Sequence, residues 1–66
     1  MTLNDIGRNL ERIRTDKNMS AYELSRCIEK DVNYIRKVEK GELNMSMKVL
    51  FDICEILEIH PRELFQ

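Results

Sequence analysis

Little in this sequence can be cross-linked, chelated or threaded through a bilayer. It has two cysteines, Cys27 and Cys54, and one histidine, His60, among 66 residues. No CxxC pair or Cys/His cluster exists, so neither a structural nor a catalytic zinc site is expected. There is no signal-peptide pattern, so a disulfide framework is not expected either, and the setting is read as the reducing cytoplasm with both thiols free. The longest unbroken apolar run is "VLF", far short of a membrane span. There is no nucleophile–base pair and no Gly-rich phosphate loop, so the chain reads as a non-enzyme with no cofactor and no small-molecule ligand in evidence. Strong positive charge is missing too. The net charge of −1 excludes a general nucleic-acid coater, so any nucleic-acid contact has to come from a local patch. A domain of this length buries only about 60% of its unfolded surface. Without disulfides or metal, compact helix packing or a partner subunit has to supply the stability.

What is present is helical periodicity from end to end, with no linker or repeat, so residues 1–66 read as one domain. Leu3, Ile6, Leu10 and Ile13 form one apolar stripe on a first helix, with Thr2 and Asp5 placed to cap its start and Asn18 to stop it. In "MSAYEL", Ser20 and Glu23 form a capping box, while Met19 and Leu24 sit as a hydrophobic staple. A second helix then runs from about Ala21 to Ile28. Asp31 caps a third from about Val32 to Lys40, closed by Gly41. Ser46 starts a fourth, with Met47, Leu50, Cys54 and Leu57 as its core stripe. "HPRELF" gives a short fifth helix, since Pro61 suits a first helical position. The fold class is a compact all-α domain of five helices.

Charge is unevenly spread. Residues 1–41 carry nine basic and seven acidic side chains, and residues 42–66 carry two basic and five acidic ones, so the positive end is the first half. On a wheel of ~100° per residue from Val32, Ile35 and Val38 fall near ~300° and ~240°, and Arg36, Lys40, Asn33 and Lys37 between ~40° and ~140°. Three cations and an amide thus share the outer face of the third helix, and Glu39 falls near the buried side. A charged outer face is ordinary on a surface helix. Here it lies on the second of two short helices joined by a tight turn, the arrangement that lays a helix in the major groove of DNA.

Four segments at their spacing, "IGRNLERIR", "MSAYELS", "YIRKVEKG" and "LFDICEILEIHPRELF", resemble the lambda-repressor-like, or Cro/XRE-type, helix-turn-helix family over about Ile6 to Phe65. The resemblance implies a five-helix DNA-binding domain with the helix-turn-helix at helices two and three. It implies a small transcriptional regulator, commonly a repressor, that binds double-stranded DNA as a homodimer. By the same resemblance, Val32, Asn33, Arg36 and Lys37 hold the base-reading positions, Ser20, Ala21 and Lys40 hold phosphate-contacting ones, and Arg14 and Glu39 form a structural ion pair. Tyr22, beside Ser20 and Ala21, is read as a further phosphate contact. The sequence departs from the family at Ala21, where glutamine is usual, at Glu29, where glycine is usual, and at Lys30, where an apolar residue is usual. With the −1 charge, these departures suggest modest non-specific binding and dependence on dimerisation.

Helix four carries a second apolar stripe of Val49, Ile53 and Ile56. Either the neighbouring helices cover it, or it belongs to a homodimer contact of Val49, Ile56, Ile59 or Phe65. Cys54 reads as a core residue and Cys27 as partly exposed. An alternative function is an antitoxin or protein-interaction adaptor with weak or no DNA binding, which the acidic second half would suit.

Overall fold

The computed structural model describes residues 1–66 as four α-helices, α1 (Leu3–Asp16), α2 (Ala21–Cys27), α3 (Val32–Glu39) and α4 (Met47–Leu57), followed by a 3-10 helix, Pro61–Phe65. The expected fifth helix therefore exists, but as a single tight turn. A piece of five residues has few i→i+4 bonds to make, and 3-10 geometry serves such short pieces. The ends of α2 and α3 fall one residue earlier than the periodicity suggested. Ile28 and Lys40 act as C-caps instead.

Every helix starts on a side-chain cap. Thr2 Oγ1 accepts from the Asp5 N–H, Ser20 Oγ from Glu23, Asp31 from Asn33 and Ser46 Oγ from Val49, and His60 Nδ1 accepts from Arg62. Each α-helix also ends the same way. Within two residues of its end the chain turns left-handed, and the next N–H reaches back five residues, as Lys30 does to the Ser25 carbonyl and Glu42 to that of Lys37. The left-handed positions are Asn18, Glu29, Gly41 and Glu58. Asparagine and glycine suit that conformation, whereas the two glutamates hold it against their Cβ sterics.

Twelve buried apolar residues, drawn from all four α-helices and the 3-10 helix, form one core. α1 approaches the end of α3 through Gly7. A Cβ there would fall on the carbonyl oxygens of Val38 and Glu39. The C-terminal turn is fastened to α1 by Asn9, whose Nδ2 donates to the carbonyls of Leu64 at 2.9 Å and Gln66 at 3.0 Å.

Helix α4 corrects the two-stripe expectation. Val49, Leu50, Ile53, Cys54 and Leu57 all face inward as one arc, which spans ~140° of the wheel. Met47, expected in the core, is 64% exposed, because it lies at the far border of that arc in the first turn. Val49, expected at a dimer contact, is instead a core residue. No helix is long and apolar enough to cross a membrane.

Candidate nucleic-acid interface

The α2–α3 unit is built from local signals. Ser20 and Glu23 satisfy each other's backbone N–H groups at 3.0 Å and 2.9 Å, and α2 ends after seven residues in the left-handed Glu29. Four residues, Ile28 to Asp31, then turn the chain into α3. Leu24 from α2 and its C-cap Ile28 meet Ile35 and Val38 from α3 in the core, so the opposite face of α3 is left to solvent.

That outer face carries Asn33, Arg36, Lys37 and Lys40, all exposed, with Val32 half-buried at its border. The protein has only two ion pairs, Arg14–Glu39 and Lys48–Asp52. Arg36, Lys37 and Lys40 thus hold three cationic groups with no carboxylate to neutralise them. At the start of α2, Ser20 and Tyr22 are exposed and Ala21 is half-buried. The Ser20 hydroxyl oxygen is already engaged as the helix cap, and Tyr22 stands 59% exposed. These residues make a surface of unpaired positive charge and amide groups beside a solvent-facing aromatic. It can neutralise phosphate and offer donors to base edges.

Behind the surface lies the Arg14–Glu39 pair. Arg14 Nε donates to Glu39 Oε2 at 2.7 Å and Nη2 donates to Oε1 at 3.0 Å, a bidentate fork. Nη1 donates to the Met19 carbonyl at 2.8 Å. One guanidinium therefore ties α1 to the end of α3 and to the entry of α2. Arg14 is 8% exposed and Glu39 9%. The hydrogen bonds it donates to Glu39 push the Arg14 pKa above its ordinary value despite the burial.

The residues expected at a dimer contact are not all available. Ile56 and Ile59 are half-buried and Phe65 is exposed, whereas Val49 is enclosed. The most exposed apolar side chains of α4 are Met47 and Phe51, the latter 52% exposed. Sequence reasoning missed Phe51, although the wheel places it ~60° beyond Cys54, the nearest inward position. Cys27 is exposed and Cys54 buried, and burial pushes the Cys54 thiol pKa up.

Residues 9–66 match the model of the Cro/C1-type HTH DNA-binding domain. Among solved structures, the restriction-modification controller protein C.AhdI from Aeromonas hydrophila superposes with a TM-score of 0.90 at 35% identity over 96% of each chain. The clp gene regulator ClgR from Corynebacterium glutamicum superposes with a TM-score of 0.91 at 23% identity, covering 98% of this chain and 70% of that one. At that identity the likeness is one of fold. No match was found among curated proteins.

Proposed function

This chain belongs to the Cro/C1-type helix-turn-helix DNA-binding family, and on that premise we propose that it is a sequence-specific transcriptional repressor that lays α3 in the major groove as a homodimer. The observation that carries the reading is the outer face of α3, where Arg36, Lys37 and Lys40 stand exposed and unpaired. In a major groove, Arg36 and Lys37 donate to guanine O6 and N7, Asn33 pairs with adenine N6 and N7, and Val32 meets a thymine methyl. Ser20, Ala21, Tyr22 and Lys40 face the phosphates on either side and fix the register without reading sequence. The likeness to a restriction-modification controller, at 35% identity across nearly all of both chains, supports a regulatory role, and the reading places that role in the cytoplasm.

The dimer follows from physical need. One eight-residue helix reads few base pairs, and a chain of −1 net charge gains little from general attraction to phosphate. Ile56, Ile59 and Phe65 supply the apolar surface for a second copy in this reading. Residues 1–66 act in this reading as one DNA-binding unit.

Selection of bound sequences from a random duplex pool tests the proposal. The expected product is an inverted repeat with half-site centres about 34 Å apart, carrying two protomers by sedimentation. An asymmetric site with one protomer would remove the dimer. Absence of any enriched sequence would remove specific reading altogether.

A further inference from the structure

One cation near α3 lies outside the helix itself. Lys30 is the last residue but one of the α2–α3 turn, and its Nζ sits 5.2 Å from the centroid of the Tyr34 ring. That distance is within the range of a cation–π attraction. The ring is a firm platform, since Tyr34 is half-buried against the core. Lys30 itself is exposed, and its ammonium takes part in neither of the two ion pairs. Neither carboxylate flanking it in sequence is paired with it, and Asp31 instead accepts the Asn33 N–H at 2.7 Å.

Position completes the argument. On the α3 wheel Tyr34 falls near ~200°, next to Lys37 at ~140°. The ammonium over that ring therefore borders the cationic face at its N-terminal end. An ammonium has three donors, and attraction to a ring face on one side leaves donors free toward solvent. The contact also restrains a stem that would otherwise lose its rotamer freedom on binding.

We infer that Lys30 is a DNA-phosphate contact of this interface, with Tyr34 as its positioning residue. The inference rests on the reading that α3 lies in the major groove. It gives the interface one more backbone anchor at the mouth of the groove, independent of base sequence.

A phosphate contact is read by counterion release, and each one contributes about 0.9 to the slope of log K against log salt. The test titrates the full chain into mixed-sequence duplex about three helical turns long, over a salt series. Lys30→Met keeps the aliphatic stem against the ring and removes the charge. Lys30→Arg keeps both. The expected result is a slope shallower by about 0.9 per bound protomer for Lys30→Met, and an unchanged slope for Lys30→Arg. A wild-type slope in Lys30→Met overturns the inference. Lys40→Ala, which removes a phosphate contact of the same reading, separates the two failures in the same titration. If that variant flattens the slope and Lys30→Met does not, the Lys30 assignment alone falls. If neither does, the major-groove reading falls with it.

Discussion

Replacing Glu39 with Ala should come close to unfolding the protein, and the structure allows the size of the effect to be worked out. Glu39 accepts two of the three hydrogen bonds that Arg14 donates, at 2.7 Å and 3.0 Å. Its loss leaves a guanidinium that is 8% exposed with a single bond, to the Met19 carbonyl at 2.8 Å. Breaking one side of a buried pair costs about 3–5 kcal/mol. Domains have about 0.05–0.15 kcal/mol of stability per residue, so a chain of 66 residues holds roughly 3–10 kcal/mol in total. Each kcal/mol moves the melting temperature of such a domain by about 4–8 °C. Glu39→Ala should therefore melt at least about 12 °C lower. Arg14→Met should be similarly damaging, since it strands a buried carboxylate. The double variant Arg14→Met/Glu39→Leu removes both charges and fills the space, and it should recover most of the loss. Urea unfolding of wild type, Arg14→Met, Glu39→Leu and the double variant closes the cycle and gives the coupling energy. A value within about 0.5 kcal/mol of zero, the ordinary scatter of independent sites, would show that the pair does not act as a unit.

Three other perturbations follow from the same geometry. Glu29→Gly should raise the melting temperature by a few degrees, because relief of ~1–2 kcal/mol of left-handed strain exceeds the ~0.4–1 kcal/mol of extra unfolded-state freedom that glycine brings; a lower melting temperature would contradict the strain at φ 57°. Gly7→Ala should destabilise by about 1–3 kcal/mol despite alanine's better helix propensity, because the methyl group falls on the Val38 and Glu39 carbonyls, and a stabilised variant in calorimetry would refute that close approach. The capping boxes give an acid limb: bonds from Thr2 hold Asp5 below its ordinary 3.8, and bonds from Ser20 hold Glu23 below its ordinary 4.5. Folding favours both ionised forms, so this stabilisation is complete above those values and fades as pH falls through the lower folded ones. Asp5→Asn/Glu23→Gln should flatten the loss of melting temperature below pH of about 4.5, and an unchanged acid limb would assign it to other carboxylates.

Most of the fold was legible because its signals are local. Thr2, Ser20, Asp31 and Ser46 each announce a helix start within three residues, and Asn18 and Gly41 each announce a stop. The basic face of α3 needed only a wheel. The rest depends on contacts distant in sequence. Gly7 looks like an ordinary helix glycine until α3 lies across it. Asn9 shows nothing of its bonds to Leu64 and Gln66, more than fifty residues away. Val49 and Met47 were exchanged between core and surface, because periodicity gives the width of an apolar arc but not where its edges fall once α2 and the C-terminal turn pack against it. Lys30 depends on a turn whose path follows from the left-handed Glu29.

The central claim is that the outer face of α3 reads DNA, and one comparison tests it most directly. A duplex selected by the wild-type chain is titrated with wild type and with Arg36→Ala/Lys37→Ala, alongside thermal melts of both. Both side chains are exposed and unpaired, so the melts should coincide. The loss of two base-reading cations, each worth about 1–3 kcal/mol of discrimination, should lower affinity for the selected duplex by roughly 30-fold or more, leaving it no better than a scrambled one. Unchanged affinity in a variant with an unchanged melt would place the DNA-reading surface elsewhere on the molecule.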